Sequence, residues 1–378
     1  NNENVKFILA PTDTYLLRQY GPVMGYGVFS DSLVSYIGNP SFTNHNRPLD
    51  NYFPTLLANM WEMDSTDYGL QFEVSNIQYD GLRYLFVGDK ILEDNLPLEE
   101  VDVSFALNSF YNSGIIHYIP SFNQSGGGPI PSIDNYIKLL DFETIAITSI
   151  PDTLPDYNEI ENMVSEIGSL TNYYGSEFKI IRIPSPPNSN GKYPITANEE
   201  LRSYTNSLII NNILIVPSFG LPEFDSAAYQ LYKNNMPGYI VKLVDSRLLT
   251  KDHAGIHTIT KEIPQPNYLR IKHQKVLALQ DYTPNFKITC LVGSGNRVDY
   301  VWLYYKINDD TSYTKTEIHQ VCPQHFAIID KLLPSDTIHY YIELISSTTQ
   351  VTYPLSAPEG NFTFWFDVVS GEDEIVET

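Results

Sequence analysis

Residues 252–262, Asp252-His253-Ala254-Gly255-Ile256-His257-Thr258-Ile259-Thr260-Lys261-Glu262, hold two histidines, an acid at each end and several alcohols or small residues. Such a set could support nucleophilic chemistry at a hydroxyl. Thr258 would attack and a histidine would take its proton, because a hydroxyl stays protonated at neutral pH until an adjacent base relieves it. His253 is one candidate base, and His117 is another. His257 also has a plainer reading, as a hydrogen-bonded structural histidine. Asp252, His253 and His257 lack the i, i+4 spacing of a helical metal site, so neither a metal nor a cofactor is expected.

The elements that must position this stretch are read from periodicity. The apolar run Tyr239–Val244 leads into it, and a strand that feeds a polar loop with Gly at the bend is where α/β proteins usually keep their chemistry. Further strand-like runs are Lys6–Ala10, Leu82–Val87, Gly114–Ile119, Thr144–Ser149, Phe178–Ile183 and Ser207–Pro217. Asp156–Ser169 carries apolar residues at helical spacing, with Asp156 as N-cap, and Asp225–Asn234 reads likewise. Alternating strands and helices over residues 1–264 imply an α/β domain. After Pro264 the pattern becomes short alternating strands, which predicts a small all-β sandwich over 265–366 and an acidic tail or linker over 367–378. Gly126-Gly127-Gly128 lacks the helix-opening context of a phosphate loop and reads as linker.

Composition narrows the function classes. The 378 residues are 42% hydrophobic and 18% charged, with 28 Tyr and 18 Phe, values of a globular, strand-rich protein. The net charge is −22, of which −17 lies in residues 1–170, so nucleic acid is not expected as a partner. A run of 18 apolar residues is nowhere present, and no transmembrane segment is predicted. Both cysteines, Cys290 and Cys322, fall in the second domain, away from the Thr258 loop.

Gly255-Ile256-His257-Thr258-Ile259-Thr260 resembles the Gly-Ile-His-Cys-Ile-Thr loop of agmatine deiminases and bacterial peptidylarginine deiminases, with Thr258 where that family has its nucleophilic Cys. Arg18-Gln19-Tyr20-Gly21-Pro22 is similar to the family's Arg-Asp-Tyr-Gly-Pro segment, with Gln19 replacing a substrate-binding Asp. Asn46-Arg47-Pro48 matches a loop whose arginines grip a substrate carboxylate, and Leu49 stands in for the second arginine. Ser132-Ile133-Asp134 resembles the His-x-Asp element, keeping Asp134 but showing Ser132 for the catalytic His. Ser203-Tyr204-Thr205-Asn206-Ser207 and Met236-Pro237-Gly238-Tyr239 follow in the family's order. Segments such as Val301–Lys306, His339–Leu344 and Ala357–Phe364 look like the immunoglobulin-like module that follows the catalytic domain in secreted members.

The resemblance implies a pentein-type pseudo-fivefold β/α propeller, its first module incomplete here, followed by an immunoglobulin-like sandwich. Deimination needs a thiolate, a proton-shuttling His and two carboxylates around a planar cation. With Gln19, Ser132 and Thr258 at degenerate positions and Asp134 as the lone retained carboxylate, the expectation is a catalytically inactive pseudoenzyme. It would be secreted or at the cell surface, acting as a binding module or as a subunit of an extracellular assembly. Deiminase activity would return only on the triple change of Gln19 to Asp, Ser132 to His and Thr258 to Cys. The alternative is a hydrolase acting on guanidino or related C–N bonds through altered chemistry with Thr258 and a nearby His. Candidate binding residues are Arg18, Arg47, Asp134, Asn206, His253 and His257. A protein or peptide partner is expected, and a separate chain could complete the first module by pairing with the edge at Lys6–Ala10. Cys290 and Cys322 could form a disulfide in a secreted setting, the alternative being a buried free Cys. Of the two glycosylation sequons, Asn123 is the more accessible and Asn361 is placed inside a strand.

Overall fold

The computed structural model describes residues 5–29, 32–41, 46–121, 132–195, 199–250, 254–264, 268–295, 297–321 and 324–367. The chain divides into two compact units, residues 1–235 with 240–264, and residues 236–239 with 265–378.

Within the first unit one order of elements recurs four times among the described residues: two antiparallel strands, helix, and a third strand parallel to the second. A short helix α1 (Leu17–Tyr20) precedes the first module, which comprises β1 (Val23–Phe29), β2 (Ser32–Ser41), α2 (Pro48–Trp61) and β3 (Asp64–Gln71). The second has β4 (Ile77–Tyr79), β5 (Tyr84–Gly88), α3 (Lys90–Asp94), α4 (Glu100–Tyr111) and β6 (Ile115–Ile119). The third has β7 (Ile137–Leu139), β8 (Thr144–Ser149), α5 (Tyr157–Gly168) and β9 (Lys179–Pro184). The fourth has β10 (Leu208–Ile210), β11 (Ile213–Ser218), α6 (Pro222–Asn235) and β12 (Ile240–Asp245).

The strand chemistry follows from position. Middle strands β5 and β8 are hydrogen-bonded on both edges and buried along nearly their whole length, so they read as unbroken apolar runs. Strand β9, on an outer edge, alternates instead. Helix α5 turns Ile160, Met163 and Ile167 onto Ile145, Ile147 and Phe178, the inner face its spacing predicts. Asp156 holds the N-cap position of α5 without a capping hydrogen bond from its side chain.

Several expectations are corrected here. Val5–Ala10 is not a strand: it runs without regular structure, with Phe7 and Leu9 almost fully exposed. Ser207–Pro217 is a hairpin, β10 turning into β11 at Asn211, whose φ of 52° is a conformation Asn tolerates better than most residues. Helix α6 begins at Pro222, three residues ahead of Asp225, because proline suits the first helical turn. The Asp225 carboxylate accepts the backbone N–H groups of Phe219 (2.9 Å) and Leu221 (3.1 Å), closing the turn into the helix.

Among the described residues the regular structure of the second unit is all strand. One sheet orders β13 (Leu269–Lys272), β15 (Phe286–Ser294), β19 (Gln324–Ile329) and β18 (His319–Val321). The other orders β14 (Leu279–Asp281), β22 (Phe362–Asp367), β20 (Thr337–Ser346), β16 (Val298–Ile307) and β17 (Thr314–Glu317), with β21 (Gln350–Tyr353) on β20. β20 alternates strictly, its Ile338, Tyr340, Ile342 and Leu344 being buried. Cys290 is a buried free thiol, and Cys322 lies outside the described residues. Asn361 sits one residue ahead of β22, and Asn123, the Gly126–Gly128 triplet and residues 368–378 also lie outside the described residues.

Candidate functional site

Three segments far apart in sequence meet around Asn206: its own, the one holding Asn135 and the Gly255–Thr258 loop. A glycine is required at the bend of the Thr258 loop, since a Cβ on Gly255 would lie 2.5 Å from Asn206 Oδ1. That close approach lets the Thr258 N–H donate to Asn206 Oδ1 (3.1 Å) while Asn206 Nδ2 donates to Thr258 Oγ1 (2.8 Å) and to Asn135 Oδ1 (3.2 Å). The Gly255 N–H also points at Thr258 Oγ1, at 3.4 Å. Two donors thus converge on this oxygen, and among the described residues it donates to none. Hydrogen bonds accepted by an oxygen favour its deprotonated form.

The same segment holds Asp134. Thr205 Oγ1 donates to the Asp134 carbonyl at 3.1 Å and Ser203 Oγ to that of Asn135 at 2.7 Å. Asp134 is fully buried, and its Oδ2 lies 2.9 Å from His257 Nδ1. Burial pushes the Asp134 carboxyl up to about 7, against the opposing pull of Arg18 and Lys138. Burial also drives the His257 imidazole well below its ordinary range, helped by Arg18, Lys138 and Lys261. Near neutrality, then, His257 is uncharged and Asp134 is poised to titrate.

Arg18 ties the loop to the start of the chain. Its N–H donates to the Thr258 carbonyl (2.8 Å), its Nε to that of His257 (3.2 Å), and its Nη2 lies 2.6 Å from Glu262 Oε2. Gln19 and Arg47 are also brought together, Arg47 Nη1 donating to Gln19 Oε1 at 2.7 Å and Nε pairing with Asp50 at 2.6 Å. Ser132 meets Ser75, Oγ to Oγ 2.8 Å. His117 sits on β6 against Phe86, in a different module from Thr258. His253 lies outside the described residues.

Sequence reasoning missed Glu73. It is a partly buried acid hydrogen-bonded to Ser132, with its carboxyl raised by burial and drawn back by Arg47 and Lys90. A signal was available. Asn76, Asn135 and Asn206 each stand one or two residues ahead of the first strand of a module, and each bonds to a neighbouring module or loop. Aligning the chain on that repeat places Glu73 in the segment equivalent to the one holding Asp134. The pre-strand segments link in sequence: α1 packs on 74–76, that turn on 133–135, that on 203–206, that on the Thr258 loop, and the loop back on Arg18.

With this geometry in place, a family model described as Porphyromonas-type peptidyl-arginine deiminase matches residues 1–264. A Legionella pneumophila protein provisionally named as an agmatine deiminase is 27% identical over 115 residues, 30% of this chain and 32% of its own length. The agmatine deiminase of Pseudomonas fluorescens is 25% identical over 218 residues, 53% of this chain and 58% of that protein. The chain thus spans from about a third to just over half the length of these relatives. A solved agmatine deiminase of Enterococcus faecalis, described as catalysing its reaction, is similar in fold with a TM-score of 0.56 at 16% identity, over 66% of this chain and 74% of that one.

The curated relatives overturn the expectation of an inactive protein, and with it the binding-module and assembly-subunit readings, since they are named as agmatine deiminases. The physical reason lies in what sequence separation hid. Ser132 carries no imidazole, and the fold instead sets His257 on Asp134 across 123 residues of chain. Asp134 is joined by other carboxylates, Glu73 beside Ser132 and Glu262 beside Arg18.

Proposed function

Because the chain belongs to the Porphyromonas-type peptidyl-arginine deiminase family, we propose that it is a hydrolase of guanidino C–N bonds whose working groups are Thr258, His257 and Asp134. The observation that carries this is the buried His257–Asp134 pair, next in sequence to Thr258, whose hydroxyl oxygen accepts hydrogen bonds from Asn206 and Gly255. In the proposed reaction Thr258 Oγ1 adds to the guanidinium carbon as its proton passes to neutral His257. One C–N bond then breaks, and the departing nitrogen leaves as ammonia with a proton returned from the imidazole. Water displaces Oγ1 to yield the ureido product and restore the hydroxyl. Asp134, once ionised, offsets the cationic substrate and afterwards the transient imidazolium.

We further read the four modules and the linked pre-strand segments as blades of a pentein-type propeller, and the second unit as an immunoglobulin-like sandwich. Support comes from the recurring element order and the two-sheet strand arrangement. The test of function is ammonia and ureido-product release from agmatine, free arginine and peptidyl-arginine. Turnover should fall by about 1,000-fold or more in Thr258→Ala, with the fold checked by circular dichroism. Absence of product from all three substrates, or turnover unchanged in Thr258→Ala, would overturn the reading.

A further inference from the structure

Next to the site lies a cavity of about 310 Å³, within the size range of small-ligand pockets. Its walls come from α1, β1, the 74–79 segment, α4, β7 and the 257–264 segment, and they include none of Gln19, Ser132 and Thr258. Three of its side chains are basic, Arg18, Lys138 and Lys261, against the single carboxylate of Glu262. Arg18 and Lys138 are buried, while Lys261 and Glu262 are partly exposed. Glu262 is already committed to Arg18 at 2.6 Å. Fully protonated, this lining carries two uncompensated positive charges around a space large enough for a small ligand, and buried charges require partners.

We propose that this cavity is a binding site for a small dianion, a phosphate-like oxyanion or a short dicarboxylate, held by Arg18, Lys138 and Lys261. Two negative charges match the surplus, and the guanidinium and two ammonium groups supply charge-assisted donors. The unliganded cavity relieves its surplus by shedding protons: burial pulls Lys261 down to about 7 and Lys138 to about 8, with Glu262 pulling both back up and Arg18 pushing both further down. The other titratable groups facing it are Tyr79, Tyr111 and the neutral His257, with Asp134 behind that ring. A dianion restores the ammonium state, so its binding takes up protons. Because Arg18 also donates to the His257 and Thr258 carbonyls, the occupant bears on the loop that carries the reacting groups.

Calorimetric titration of the full chain with inorganic phosphate and, separately, with succinate tests this without reference to turnover. One saturable site is expected at about pH 7.5, with an apparent enthalpy that changes with the ionisation enthalpy of the buffer because protons are taken up. The arm that binds more tightly identifies the oxyanion or the dicarboxylate. Lys138→Met and Lys261→Met should each weaken binding by about tenfold or more. Thr258→Ala should bind as the unaltered chain does, so a failed hydrolase reading leaves this one standing. Lys261 is partly exposed, so its variant keeps the test valid if Lys138→Met does not fold. Absence of saturable binding of both dianions, binding indifferent to both lysine changes, or acetate binding as tightly as succinate would overturn the proposal.

Discussion

At the residue scale the proposed chemistry rests on a carboxyl and an imidazole that burial pushes toward their neutral forms. Asp134 is raised to about 7 and His257 is lowered, each chiefly by desolvation. The sign follows from proton counting. Between the ordinary carboxylate range and about pH 7, folded Asp134 keeps a proton that the unfolded chain has lost, so its contribution lowers stability as pH rises through that window. The midpoint of thermal unfolding of Asp134→Asn minus that of the unaltered chain should therefore become more positive from about pH 5 to about pH 8. The His257 contribution has the opposite sign but is present in both proteins. A difference that shrinks with pH would show that Asp134 is ionised in the fold well below neutrality. Cys290 is a simpler case, a buried thiol pushed up to about 12. In a Cys322→Ser background it should resist alkylation at about pH 8 until the chain is unfolded, whereas rapid native labelling would contradict its burial.

At the element scale the site depends on the turns ahead of each module's first strand, because a short turn rather than a long helix presents Asp134, Asn206 and Thr258. Asn206 uses both ends of its amide, and Asn206→Ala leaves the Thr258 N–H and Asn135 Oδ1 without that partner in a buried setting. A loss of about 1–3 kcal/mol in denaturant unfolding is expected, together with loss of turnover. Helix α6 is held by Asp225, which accepts two backbone N–H groups and the Tyr204 hydroxyl at 2.8 Å. Asp225→Ala should cost about 1–3 kcal/mol, and it should loosen the 203–206 segment through Tyr204. Hydrogen exchange faster at Tyr204–Asn206 than elsewhere in the fourth module would confirm that route. Unchanged exchange there would separate the helix cap from the site.

At the scale of the whole molecule the charge is lopsided, −17 of the net −22 falling in residues 1–170. Like charges at that density repel across the folded surface, and salt screens them over about 10 Å at 0.1 M. Raising sodium chloride from about 0.02 M to about 0.3 M should therefore raise the thermal midpoint of the first unit, read by calorimetry. A fall would mean that pairs such as Arg182–Glu161 (2.6 Å) outweigh the repulsion.

The amino-acid sequence by itself determined the α/β character of residues 1–264, the helix Tyr157–Gly168 and the alternating strands after Pro264, because burial on one face or two leaves a period in the residues that make it. The family too was legible, since its loop motifs are local. The first module was not. Strands such as β3 are polar and largely exposed, so no alternation marks them, and the three-residue strands β4 and β7 are too short to carry a period. The site was half legible: Asp134, His257, Thr258 and Asn206 can each be named from local motifs, while which of them meet depends on contacts far apart in the chain. Only the tertiary structure decided that His257 lies on Asp134, that Glu73 lies beside Ser132, and that Arg18, Lys138 and Lys261 face one cavity. Those pairings join residues up to more than two hundred positions apart, as Arg18 and His257 are, and desolvation, which sets their charge states, depends on what surrounds a group in space.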